Sequence, residues 1–191
     1  MSAITALHDR CSVGPRHLRG PAPGYEELLQ VAAAAAAAPD HASLGPFRLI
    51  HIPDLARNRL ADVFAAAATE ADPESDDEAL AKARKRALAG PGLLAVVVEL
   101  KEHPQVPPEE QWVSAGAALQ NTLLALEALG YRAKMLSGAR VRSSALRAAF
   151  ELGDGAHLLG FIAVGRHNGD VKHATRRAAE QVLSEWAPPG D

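Results

Sequence analysis

The chain has 191 residues, 48% of them hydrophobic, with 20 basic against 23 acidic side chains and a formal net charge of -3; one well-buried core, a single domain over residues 1–191, is expected. No basic cluster exceeds Lys82–Arg86, Met1–Arg10 has no apolar signal core, and the longest apolar runs, Val31–Ala38 and Leu93–Val98, are too short to span a bilayer. Nucleic-acid and membrane partners are therefore not expected, and a cytoplasmic location is. The one cysteine, Cys11, excludes an internal disulfide framework and any cysteine-rich metal centre.

In chain order, a helix is expected over Tyr25–Ala38, after the breakers Pro21, Pro23 and Gly24 and before Pro39. Its alanine run lets a neighbouring helix or a flat ligand approach the backbone closely, although compositional bias produces the same pattern. Arg48–Ile52 alternates and predicts a short strand, followed by a helix over Leu55–Ala71 with Leu55, Leu60, Val63 and Phe64 as its apolar face. Asp72–Asp77 reads as a charged turn, and Glu78–Leu88 as a short helix carrying Lys82–Arg86 on a solvated side. Leu93–Val98 is an unbroken apolar run, the pattern of a strand covered on both faces at the sheet centre. Pro108–Leu129 is apolar almost all round, with Ser114–Ala118 small and Gly130 as its stop, so it predicts a buried central helix. A strand over Tyr131–Met135, a loop over Leu136–Arg140, a helix over Ser143–Phe150 and a strand over His157–Val164 follow. The tail from His167 to Trp186 is expected to be partly helical, with its tryptophan packed on a surface. Helices outnumber strands without regular alternation, so an α+β layer architecture is favoured over a doubly wound nucleotide fold.

Familiar chemical motifs are missing. Gly153-Asp154-Gly155 lacks a third glycine and precedes a strand, so it is a turn and no dinucleotide fingerprint. There is no phosphate loop, no nucleophile elbow and no histidine pair at helical zinc spacing. Cys11, between Arg10 and Ser12, is a conceivable nucleophile, set against the commoner role of a buried small residue. What remains are three short polar segments at element edges, Arg10–Ser12, Pro39–Ser43 and Leu136–Ala139. Arg10 offers a fork of donors suited to phosphate, Ser12 a hydroxyl, and Ser137-Gly138 main-chain N–H groups on a glycine that tolerates close approach. They describe a site for a planar, phosphate-bearing ligand, or ordinary caps and turns.

The ordered set of segments is more specific than any one. Arg10-Cys11-Ser12, Ala38–Arg48 with its Pro39-Asp40-His41-Ala42-Ser43, His103–Pro107 ahead of Glu110-Gln111, Ser114–Asn121, Ser137-Gly138-Ala139 and Leu159–Gly165 together resemble the nitroreductase family of FMN enzymes, its small minimal-length branch in particular. The resemblance covers about residues 4–165, and Val182–Trp186 also fits. It implies a nitroreductase-like α+β fold, a mixed or antiparallel sheet of about four strands flanked by helices, in an intertwined homodimer. It implies FMN held by both chains, with Arg10 and Ser12 at the phosphate and ribityl end and Cys11 contributing main chain. His41, with Ser43, would approach the flavin from the partner chain, and Leu136, Ser137 and Gly138 would line the ring with N–H groups near N5. The implied activity is hydride transfer from NAD(P)H to FMN and then reduction of a nitroaromatic, quinone or similar acceptor, in ping-pong fashion. The flavin carries that chemistry, so no residue is certain as a catalytic acid or base, and His41 is the candidate.

Departures from the family pattern bear on cofactor binding. Cys11 stands where the branch usually has a second arginine, Phe47 where a tryptophan is common, and Ala37 where an arginine is expected. Met135 and Leu136 replace basic or bulky residues, and Gln105 a common lysine. Arg166, Lys172, Arg176 and Arg177 offer substitute phosphate contacts, or simply a solvated tail. The competing reading is a dimeric protein of the same fold that binds a ligand, with or without flavin, and has lost reductase activity; a cysteine-dependent transferase is third.

Overall fold

The computed structural model describes residues 2–171, 175–187 and 189. Six helices of the described chain, α1 (Ala3–Asp9), α2 (Tyr25–Ala36), α3 (Asp54–Ala71), α4 (Asp77–Ala87), α5 (Pro108–Ala128) and α6 (Ser144–Ala149), flank one sheet. Its strands are β1 (Phe47–His51), β2 (Gly92–Glu99), β3 (Arg132–Leu136) and β4 (Ala156–Gly165), in the order β1-β2-β4-β3. Every neighbouring pair is antiparallel, so the sheet is antiparallel and not mixed.

The apolar run of β2 lies inside the sheet, and its residues Gly92–Val98 are all buried. Alternation along the strand divides the core in two. Leu93, Ala95 and Val97 pack with Leu60, Phe64 and Ala87 of α3 and α4, and with Cys11 and Leu146. Leu94 and Val96 pack on the other face with Val31 of α2, Leu126 of α5 and Tyr131. The result is three layers, one sheet between two sets of helices.

Three expectations about elements are corrected. Leu55 does not join the apolar face of α3 but is 96% exposed. The buried residues Arg57, Leu60, Ala61, Phe64 and Ala67 define a face that, at about 100° per residue, lies opposite Leu55. Helix α5 buries only the stripe Gln111, Ser114, Ala115, Ala118, Thr122 and Leu126, and leaves Trp112, Val113 and Gly116 exposed. The tail carries only a three-residue 3-10 turn, Ala179–Gln181, among its described residues, and Trp186 is 85% exposed. All three leave large apolar side chains facing outward from this chain: Leu55, Trp112 with Val113, and Trp186. Among the described residues no helix is long and apolar enough to cross a membrane.

Several polar side chains fix the layers. Arg57 is buried and donates to the carbonyls of Ala87, Ala89 and Gly90, closing the C-terminal end of α4; burial lowers its pKa below the usual arginine range. Tyr131 donates its hydroxyl to Glu27 at 2.7 Å, and the Arg166 guanidinium lies 3.8 Å from the centre of the Tyr131 ring. Arg166 also donates to the Leu129 carbonyl at 2.9 Å, so it holds the fold together and is not a free tail cation.

Candidate functional site

The N-terminal segment lies along β3. Ser12 bridges Ala133 in parallel, the Val13 N–H donates to the Ala133 carbonyl at 3.2 Å, and Arg19 exchanges main-chain bonds of 2.8 and 2.7 Å with Arg166. Extended backbone alternates its side chains, so Cys11 and Val13 point inward, each 6% exposed, while Ser12 faces out. Cys11 is thereby a core residue packed among apolar side chains, its thiol turned away from any substrate, which leaves it the role of a buried small residue. The Arg10 carbonyl accepts a 2.8 Å bond from Arg176, which brings one tail cation to this segment. Arg177 donates to Gln181 within the tail, and Lys172 lies outside the described residues.

Leu136, Ser137 and Gly138 leave the far end of the same strand. From Ala133 to Leu136 is three residues, about 10 Å of extended chain. Leu136 opposes Phe161 of β4, and the Ser137 hydroxyl donates to the Leu159 carbonyl at 2.9 Å. Gly138 has φ 128°, a conformation side chains rarely adopt, and nothing lies within 4 Å of where its Cβ would be. The main-chain N–H groups of Ser137 and Gly138 have no acceptor among the described residues. Gly160 lets this end of β3 settle, since a Cβ there would come within 2.3 Å of the Leu136 carbonyl oxygen and 2.7 Å of Met135 Cε.

His41 and Ser43 sit elsewhere, in a 3-10 turn after α2 that packs against α5. His41 Nδ1 is 2.8 Å from Glu110 of α5, and Ala42 and Ser43 take left-handed φ of 59° and 54°. Asp40 braces the turn by accepting from the Gly45 N–H at 2.6 Å, and Lys101 donates to the Leu44 carbonyl. No hydrogen bond among the described residues joins this turn to Arg10–Ser12 or Leu136–Gly138 within one chain. The structure thus brings two of the three polar segments together on β3 and leaves the third on another face.

Two features were missed in the sequence. Gln111 is 1% exposed and splints the loop before α5: its carbonyl oxygen accepts from the Lys101 N–H at 2.9 Å while its amide donates to Lys101 and Val106 carbonyls. The second is a basic cleft of about 870 Å³ beside the N-terminal segment, lined by Arg16 and His17, by Lys82, Lys85 and Arg86 of α4, and by Lys134 of β3. The run Lys82–Arg86 exposes its cations, as expected of a solvated face, and it also forms one wall of this open cleft. Its signal was the spacing of 82, 85 and 86, which share one side of a helix; Arg84, off that side, pairs with Asp62 at 3.2 Å.

The positions that depart from the family pattern are placed as follows. Ala37 ends α2, Gln105 is exposed in a loop, and Met135 and Leu136 are half-buried at the end of β3. Phe47 opens β1 and, with Ala32, Ala35, Ala36, Leu49 and Ala118, lines an apolar hollow of about 330 Å³ between α2, β1 and α5.

Known proteins are similar to this chain in sequence or in fold. "Putative NAD(P)H nitroreductase YdjA" of Escherichia coli (strain K12) is 34% identical over 165 residues, covering 86% of this chain and 88% of that protein. A relative in Haemophilus influenzae (strain ATCC 51907 / DSM 11121 / KW20 / Rd), "Putative NAD(P)H nitroreductase", is 34% identical over 166 residues, with coverage of 86% and 88%. The crystal structure of a nitroreductase-like family protein from Bacillus cereus superposes with a TM-score of 0.81 at 20% identity, covering 96% of this chain and 95% of that one. A single-residue mutant of the FMN and NADPH-dependent nitroreductase NfnB, from sphigopyxis sp. strain HMH, gives 0.75 at 19% identity, with 97% and 99% covered. The sequence profile described as "Nitroreductase family" matches residues 8–166. On that match, and with the strand order and helix layers described above, the chain belongs to the nitroreductase family.

Proposed function

We propose that this chain is an FMN-dependent NAD(P)H oxidoreductase that works as a homodimer. The observation that carries this reading is the convergence on one strand, β3, of Arg10 and the outward-facing Ser12 at one end and of the unpaired N–H donors of Ser137 and Gly138 at the other. Those residues fit a ligand with a phosphate at one end and a planar, acceptor-bearing ring at the other. Relatives named as NAD(P)H nitroreductases, and a fold shared with an FMN and NADPH-dependent nitroreductase, support the same assignment.

FMN, when bound, would supply the redox chemistry between NAD(P)H and a nitroaromatic, quinone or similar small acceptor, in a ping-pong sequence. Arg10 holds the phosphate by charge-assisted hydrogen bonds, Ser12 adds its hydroxyl, and Cys11 offers only main chain because its thiol is turned inward. Ser137 and Gly138 direct fixed N–H dipoles at the ring edge, where negative charge develops on reduction. Leu136 lines the ring as an apolar wall, since it carries no charge to contribute. The basic cleft that borders the N-terminal segment, with Arg16, Arg86 and Lys134 in its wall, would supply the cations that the N-terminal and Ser-Gly segments lack. His41 and Ser43 reach the flavin of the partner chain, with His41 oriented by Glu110.

What this chain leaves uncovered supports the homodimer reading: the outer face of α5, the hollow beside β1, and Val182, Leu183 and Trp186 of the tail. The test is an absorption spectrum of protein supplemented with FMN and desalted, then reduced anaerobically with NADPH and with NADH. Retained flavin that bleaches is the expected result. A colourless protein overturns the reading and favours the flavin-free binding protein.

A further inference from the structure

A second hollow, of about 390 Å³, lies between α3, α4 and the loop that follows Gly138. Three arginines line it: Arg86 from α4, and Arg140 and Arg142 from the 3-10 turn Ala139–Arg142. Arg140 is laid over Phe64, its guanidinium carbon 5.2 Å from the ring centre, and its Nε is buried with no hydrogen-bond partner. No carboxylate among the described residues lies within ion-pair reach of any of the three. The one acid in the wall, Glu70, is already engaged: its carboxylate accepts from the Ser144 N–H at 2.8 Å, the Ser144 hydroxyl at 2.9 Å and the Ala145 N–H at 3.2 Å. Burial, and then the like charge of Arg86, lowers the Arg140 pKa, so the cluster is held together against its own repulsion.

A buried guanidinium donor without an acceptor is costly, and the like charges of Arg86 and Arg142, both exposed at the rim of the hollow, add repulsion. An anionic oxygen group in the hollow neutralises the cluster and accepts from the guanidinium groups that line it, offsetting the charge held over the buried Nε. The hollow also opens beside Ala139, the residue next to Gly138, so its occupant lies alongside the ligand read for that segment. We propose that this hollow is an anion subsite that takes the phosphate or carboxylate group of the molecule exchanging electrons at the neighbouring flavin. The assignment to a redox partner rests on the flavin reading; the affinity for an anion does not.

The first measurement is therefore independent of flavin. In the full-length protein, the arginine Nε–H resonances are followed while inorganic phosphate is added, with the Arg140 signal identified by its disappearance in Arg140→Lys. A saturable shift of that signal, weakened about tenfold in Arg142→Gln, is expected. An unmoved Arg140 signal means a hollow filled by solvent and overturns the proposal. The second measurement compares Michaelis constants of wild type and Arg142→Gln for NADPH against NADH, and for 4-nitrobenzoate against nitrobenzene. A rise of about tenfold for NADPH alone assigns the donor's extra phosphate, and one for nitrobenzoate alone assigns an acceptor carboxylate. Equal constants for both pairs overturn the redox-partner assignment. A protein that retains no flavin fails in the absorption experiment instead, and leaves the phosphate titration interpretable.

Discussion

Arg10 and Gly160 bear on the same strand through different physics, and their substitutions separate binding from folding. Arg10→Ala removes a charge-assisted donor set from an outward-facing position, so the dissociation constant for FMN is expected to rise about 10- to 100-fold. Melting of the flavin-free protein should stay within about 2 °C of wild type, as for a surface substitution; equal losses in the free and loaded forms would show a structural role instead. Gly160→Ala is the converse. Its Cβ meets the Leu136 carbonyl, which is main chain and cannot give way, so the variant is expected to lose about 3 kcal/mol and melt roughly 10 °C lower, with flavin retention falling too. Thermal melts with and without FMN read both cases.

Acid sensitivity also arises at single residues. Glu27 is held below the ordinary carboxylate value of 4.5 by the Tyr131 hydroxyl, then by the Gly24 N–H, with Arg166 adding a smaller attraction. Glu70 is lowered by the N–H groups of Ser144 and Ala145 and by the Ser144 hydroxyl. A depressed folded value means stability that is fully present above the unfolded value and is lost as pH falls through the folded one. Melting temperature should therefore drop below about pH 4.5. In Glu27→Gln that decline should be shallower, and an unchanged slope between about pH 5 and 3 would remove Glu27 from the account.

At the scale of elements, the strand centre and most helix bounds were legible because they depend on local pattern. The unbroken run Leu93–Val98 is too short for a buried helix, follows Pro91-Gly92 and ends in three valines, which together select an interior strand, and β2 is that strand. The small residues of α5 marked close packing, yet much of that helix is uncovered in one chain, because composition records that a face will be covered and not by what. Of the candidate site, the segments Arg10–Ser12 and Leu136–Gly138 were legible, whereas their meeting on β3 was a tertiary event carried by one bridge between Ser12 and Ala133. The basic cleft and Gln111 were illegible for the same reason: a surface charge run and a helical glutamine gain their roles only from what the fold sets opposite them. Gln111→Leu tests this for the loop before α5. It leaves the Lys101 N–H and carbonyl without partners and should cost about 2–4 kcal/mol in chemical denaturation. A change under about 0.5 kcal/mol would make the splint dispensable.

For the whole molecule, the exposed apolar residues are a statement about assembly. Val182, Leu183 and Trp186 are 72%, 80% and 85% exposed in the single chain, and large side chains rarely cluster so in a protein that stays alone. In the proposed homodimer the tail covers its partner, as an apolar surface of this kind requires. Replacing the three together with serine should shift sedimentation from dimer towards monomer and release FMN, since His41 and Ser43 are read as partner contributions. A variant that stays dimeric with its flavin would place the interface elsewhere.

The bonds between Arg19 and Arg166, and between Arg10 and Arg176, join parts of the chain separated by nearly its whole length. The layer formed by α3, α4 and β2 contains none of these four residues, so loosening the chain just beyond β4 frees the N-terminal segment while that layer stays closed. In the FMN reading proposed above, partial opening at the Arg19–Arg166 contact is therefore expected to release flavin before the core melts.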